Sequence, residues 1–156
     1  MNKVYIETSF FSFLTARKTK NLLTAAWQSI TTEWWDTRRN NYDLYISELV
    51  FEEAKRGDED AAQRRIIEMA GIPYLKITDK AIVLAKKLTQ SGILPGKASD
   101  DALHLAISTV HNIDFLMTWN CRHLDNAEIK PKARHLLHKF GYVMPEICTP
   151  QELLGE

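Results

Sequence analysis

Carboxylates scattered along a chain become chemistry only if the fold gathers them, and four positions here have the types and spacing for that. Glu7 closes the apolar run Val4-Tyr5-Ile6 and is followed at once by two hydroxyls, Thr8 and Ser9. Glu53, with Glu52 as its neighbour and competitor, lies in the stretch FEEAKRG, six residues past Ser47. Asp101 stands after Asp100 at the head of DDALHLA, and Asn120 follows the apolar run that passes through Thr118 to Trp119. A charge at the end of a buried strand must be paired or liganded. Acids carried on separate elements and converging at one edge are what a hard divalent cation such as Mg²⁺ or Mn²⁺ needs, since these ions take oxygen ligands. Without a cation the same carboxylates would repel one another.

Other reactive side chains carry weaker arguments. His135 and His138 stand three apart, yet no HExxH motif or cysteine pair accompanies them, so a zinc site is not expected. His104 sits among apolar helix positions and reads as a core histidine satisfied by a neighbour. Arg122 and His123 lie close after Asn120 and are candidates for contact with a phosphate. Cys121 has a histidine nearby but no oxyanion motif and no third orienting group. Thr8, Ser9 and Thr118 are able to hydrogen-bond a carboxylate or a phosphate oxygen, or simply to cap the backbone.

The elements that must position these residues follow from periodicity. Residues 2–6 read as a strand. Leu23, Ala26, Trp27, Ile30 and Trp34 recur at helical spacing between Lys20 and about Arg38. Leu44–Ile46 is a short strand, Ser47 an N-cap for the helix LVFEEAKR, and Gly57 its stop. DEDAAQRRIIEMAG is a helix with acids in its first turn. PYLKI reads as a strand and Thr78 as the cap of DKAIVLAKKLTQ. SGILPGKAS is a loop by its Gly, Pro and Ser content. Ser99 is then placed to cap DDALHLAISTVHN, with Ala102, Leu105, Ala106 and Ile107 turned inward. DFLMTW and VMPEI complete the strands. Short apolar strands alternating with helices imply a mainly parallel sheet, of four or five strands, with helices on both faces. Sites in such folds gather beyond the C-terminal ends of the strands.

Bulk properties narrow the class. The 156 residues are 45% hydrophobic and 26% charged, ordinary for a water-soluble globular chain able to bury a core. Neither a linker nor a repeat divides the sequence, so one domain over 1–156 is expected. No apolar run approaches the roughly 18 residues that span a membrane, and no leader-like segment opens the chain, so a cytoplasmic protein is expected. Cys121 and Cys148 are too far apart for a CxxC pair and read as structural thiols. Twenty acidic and twenty basic residues cancel, which excludes coating of nucleic acid through bulk charge while leaving local binding open. Lys130, Lys132, Arg134, His135, His138 and Lys139 crowd one stretch, either as a solvated helix face or as a backbone contact for a phosphate polymer.

Together ETS after the first strand, IS…FEEAKRG, DDALHLA and TWN resemble a PIN domain, most closely the VapC-type toxins of bacterial toxin–antitoxin modules. The likeness runs over nearly the whole chain, and it rests on the order and spacing of the motifs. It implies a three-layer α/β/α fold and a metal-dependent ribonuclease, with Glu7, Glu53, Asp101 and Asn120 as catalytic positions. It also implies Mg²⁺ or Mn²⁺ held by Glu7, Glu53 and Asp101, assisted by Asp100. Thr8, Ser9, Thr118, Arg122 and His123 would then meet substrate. Glu7 stands where the family usually has Asp, and Asn120 replaces an acid, which leaves a degenerate PIN domain that binds without cutting as the rival. A nuclease of RNA processing without an antitoxin is the third reading. The implied partners are an RNA substrate, a small antitoxin and a second copy of the chain, for which the Trp-rich first helix offers a contact.

Overall fold

The computed structural model describes residues 1–155. Its central strand, β1 (Lys3–Ile6), is buried from Val4 onward. The other strands are β2 (Asp43–Ser47), β3 (Tyr74–Leu75), β4 (Phe115–Met117) and β5 (Glu146–Cys148). They form one sheet in the order β3-β2-β1-β4-β5, and every pairing is parallel. Seven α-helices connect and flank them: α1 (Thr8–Thr15), α2 (Leu22–Thr37), α3 (Glu48–Ala54), α4 (Glu59–Glu68), α5 (Asp79–Gln90), α6 (Ser99–Val110) and α7 (Ile129–Lys139). This is the expected α/β class, with five strands and no antiparallel member.

The helix α1 was not expected from the sequence. TSFFSFLT is rich in aromatic and β-branched residues and has little intrinsic helical preference. Tertiary contact supplies what propensity does not. Phe10 and Phe11 are buried and pack edge-on against each other, Phe11 is edge-on and Phe10 tilted against Trp35, and Phe10 also meets Trp34 with ring centroids 5.6 Å apart. Trp34 and Trp35 are therefore core residues of this chain, and they cannot form the intersubunit contact proposed for their helix. The large apolar residues that α2 does expose are Leu22 and Leu23.

Three boundaries moved for identifiable reasons. PYLKI yields only the two residues of β3, because the edge strand peels away after Leu75 and the Ile77 amide turns to Glu48 Oε2 at 3.2 Å. The last strand starts after Pro145, which has no N–H to give a ladder, and pairs Glu146, Ile147 and Cys148 with β4. Ser99 does not cap α6. A 3₁₀ turn, Gly96–Ala98, runs directly into the helix, so Ser99 already has helical dihedrals and the capping position falls on Ala98. Ser47 and Thr78 do cap, accepting from the amides of Val50 and Ala81. Cys121 and Cys148 are free thiols. On α7 the basic residues lie largely on the exposed face, and two of them are paired, Lys130 with Asp125 and Arg134 with Glu146. No helix is long and apolar enough to cross a membrane among the described residues.

The aromatic cluster that docks α1 on α2 is the energetic centre of this face. Trp34→Ala should lower the stability of the chain by about 3–5 kcal/mol, the range for emptying a large buried aromatic site. Urea unfolding checks this: the midpoint should fall while the slope of free energy against denaturant stays constant.

Candidate metal centre at the sheet edge

The C-terminal ends of β1, β2 and β4 open toward one place, and the polar groups assemble there. Glu7 is the N-cap of α1 and is only 6% exposed. Its Oε2 accepts from the Ser9 amide at 3.0 Å, and its Oε1 accepts from Ser9 Oγ at 2.6 Å and from Thr118 Oγ1 at 2.5 Å. Pairing of Ile6 with Met117 sets Thr118 opposite Glu7, and the Glu7 amide donates to the Met117 carbonyl at 3.0 Å. The register of β1 on β4 thus delivers the hydroxyl to the carboxylate.

Glu53 comes from α3, whose start is fixed by the Ser47 cap. Thr8 Oγ1 donates to Glu53 Oε1 at 2.6 Å, and His104 Nε2 lies 2.5 Å from the same oxygen. His104 is completely buried on α6, and its Nε2 is also 4.0 Å from Glu7 Oε2. Its other nitrogen, Nδ1, is 2.7 Å from the hydroxyl of Tyr5, which is in turn 2.8 Å from Ser47 Oγ. Glu7, Glu53 and His104 each present a ligand atom within 4.8 Å of the others, a group able to hold a metal ion.

Asp101 opens α6 three residues before His104, and its Oδ2 is 3.2 Å from His123 Nδ1. Burial, with the charge of Glu7 added, raises the Asp101 pKa above 3.8. For Glu53 burial pushes upward, but the hydrogen bond and charge of His104, with the Thr8 hydroxyl, bring the pKa below its ordinary value. Burial alone would lower the His104 pKa, and the bond to Glu53 with the charges of Glu7, Glu53 and Asp101 raises it instead. Two carboxylates and an imidazole within reach of one point are donors a divalent ion accepts, and a cation there would also relieve the repulsion between Glu7 and the nearby Asp101.

The remaining expected residues divide. Glu52 points to solvent and pairs with Lys55, and Asp100 pairs with Arg56 at 3.1 Å, half-exposed and outside the group. Asn120 stands at the β4 end, and its Oδ1 accepts from the amides of Arg122 at 3.2 Å and His123 at 2.9 Å. It shapes the turn that brings His123 to Asp101. Thr8, Ser9 and Thr118 all bond carboxylates. Arg122 is exposed beside the site. Trp119 locks this corner, donating from Nε1 to Thr31 Oγ1 at 2.8 Å and stacking on Trp27 at 4.8 Å.

Sequence reasoning missed two members. His104 was read as a core histidine, and it is buried and satisfied, but its partner is a site acid. Tyr5 was read only as strand core. Both carried a signal: His104 lies three residues from Asp101 on one helical face, and Tyr5 lies two before Glu7.

No family model and no curated protein matches the sequence. Solved structures do match by shape. A chain of VapBC2 from Rickettsia felis, solved bound to a DNA fragment from its promoter, superposes with a TM-score of 0.54 at 15% identity, covering 77% of this chain and 89% of that one. VapC20 of Mycobacterium tuberculosis, a sarcin–ricin-loop-cleaving toxin, superposes with a TM-score of 0.54 at 14% identity, covering 76% and 91%. The chain therefore has a VapC-like PIN-domain fold.

The folded chain holds the Asp101 proton more tightly than the unfolded chain does, so ionising this group costs native stability. That cost is absent below pH 3.8 and is complete once pH passes the raised value. In EDTA at neutral pH, Asp101→Asn should raise the urea midpoint, and the gain should vanish as pH is lowered toward 4. An Asn variant no more stable than its parent at pH 7 contradicts the electrostatic account.

Proposed function

We propose that this protein is a divalent-metal-dependent endoribonuclease, one PIN domain over 1–156, acting in the cytoplasm as the toxin of a type II toxin–antitoxin module. The observation that carries the reading is the convergence of Glu7 and Glu53 at the edge of a parallel sheet of VapC-like shape, with Asp101 near enough to feel the Glu7 charge. These three carboxylates would hold Mg²⁺ or Mn²⁺. When bound, the ion supplies an activated water and stabilises charge on the phosphoryl oxygens of an RNA phosphodiester.

The chain's own residues prepare that site. Ser9 and Thr118 fix the rotamer of Glu7, and Thr8 fixes that of Glu53. His123, held by the Asn120 turn, shields Asp101 on one side. Arg122 is exposed next to this turn, where a guanidinium meets an RNA backbone phosphate. A small antitoxin and a second copy of the chain complete the proposal, by likeness of fold to VapC toxins. A binding module that does not cut is favoured by one specific observation: both Glu7 oxygens and the Asn120 Oδ1 already have protein donors.

Single-stranded RNA decides between these readings. Incubated with Mn²⁺, the protein should cleave it, and Asp101→Asn and Glu53→Gln should fall to the rate seen in EDTA. Glu52→Gln, at an exposed position, should match the parent. RNA bound but left intact with Mn²⁺ would promote the binding module, and cleavage without a small antitoxin gene beside its own would favour an RNA-processing enzyme.

A further inference from the structure

His104 sits among candidate ligands, and its two nitrogens have different partners, so its role turns on which nitrogen carries the proton. Two ligands of one octahedral ion at about 2.1 Å stand about 3.0 Å apart. The approach of His104 Nε2 to Glu53 Oε1 is closer than that edge and is that of a short hydrogen bond, not of two ligands on one ion. A bare nitrogen lone pair facing a carboxylate oxygen there would be repelled, so the proton lies on Nε2.

The hydroxyls behind the ring agree. Ser47 Oγ accepts from the Val50 amide at 3.2 Å, which leaves its own proton for Tyr5 Oη at 2.8 Å. Tyr5 then donates its proton to His104 Nδ1 at 2.7 Å, making Nδ1 an acceptor and Nε2 the N–H. In this order every group donates once. The reverse order leaves the Ser47 proton without an acceptor among the described residues, at a position with no exposure.

We propose that His104 is a positioning residue, a fixed Nε2–H donor that holds Glu53 in place through a Ser47–Tyr5–His104 relay, and that it is not itself a ligand of the cation. The identity of the cation site rests on the reading above, whereas the relay exists in the metal-free chain. The relay starts at the cap of α3 and ends on Glu53 of the same helix, closing β1, α3 and α6 into one ring. With Thr8 and His104 both on Oε1, Glu53 Oε2 is the oxygen with no protein donor among the described residues.

Histidine-labelled protein in EDTA tests this by long-range ¹H–¹⁵N NMR, with His104 assigned by the resonance missing from His104→Gln. The expected spectrum has a protonated Nε2 and a bare Nδ1, and Nε2–H persists on addition of Mg²⁺. Tyr5→Phe, which keeps the core volume, should leave Nδ1 bare and move its ¹⁵N resonance downfield, because the hydrogen bond from Tyr5 Oη is gone. A bare Nε2 in EDTA, or loss of its proton with Mg²⁺, overturns the proposal. Mn²⁺ affinity, from the free-ion electron paramagnetic resonance signal, gives a second readout. His104→Leu should weaken it about tenfold or more, the usual cost of losing an outer partner, while His104→Gln, which still offers an N–H to Glu53, should restore most of it. Equal losses in both variants also overturn the role. A parent that binds no Mn²⁺ strikes the metal reading and leaves the spectrum in EDTA to decide the relay.

Discussion

A carboxylate at the end of the central strand of a parallel sheet is the constraint around which the rest is arranged. β1 lies between β2 and β4, so its C-terminal end is enclosed by neighbours on both sides, and Glu7 is 6% exposed there. An ion in that position costs several kcal/mol unless the fold returns hydrogen bonds of good geometry. Three donors are returned, two from Ser9 at the start of α1 and one from Thr118 just beyond β4. Each depends on a larger element. The first pair requires that the chain turn straight into a helix after Ile6. The third requires the Ile6–Met117 register, since a slip of one residue would turn Thr118 to the other side of the sheet.

The same economy operates on the other flank of β1. Thr8 and Ser9 are consecutive, yet their hydroxyls serve different acids, Glu53 and Glu7. Two residues at one helix start therefore couple two carboxylates from separate elements. This explains why α1 exists despite a sequence with poor helical preference: its N-terminus is held by the site and its aromatic face by Trp34 and Trp35. Site and core stabilise the helix from opposite sides, and neither contact is local in sequence.

That non-locality also marks where reading the sequence succeeds and where it stops. The alternating pattern was legible, and with it the parallel sheet, Glu7 at a strand end, Glu53 on the helix after the second strand and Asp101 in the first turn of its helix, because period and capping residues are local properties. Ser47 and Thr78 showed their roles for the same reason. The α1 helix was not legible, since its stability comes from rings on α2. The short β3 and the late start of β5 were set by an edge departure and by Pro145, and only the second has a local sign. His104 is the sharpest case. The apolar neighbours Ala102, Leu103, Leu105 and Ala106 make it look like core, and it is core by burial, but its partner Glu53 is 51 residues away on a different helix, α3.

The charge balance of this corner bears on what the cluster is for. Glu7, Glu53 and Asp101 face two imidazoles, His104 and His123, while Thr8, Ser9 and Thr118 add dipoles without charge. Three carboxylates against two imidazoles leave an excess of negative charge among buried and half-buried groups. A structural network would gain by losing it, because well-packed apolar residues in place of buried ions are often neutral or stabilising. The Asp101 pKa is raised first by burial and then by the Glu7 charge, so an ionised Asp101 is costly to the fold. Under the proposed function the retained acids have a reason, because a divalent cation bound among them would turn this surplus into binding energy.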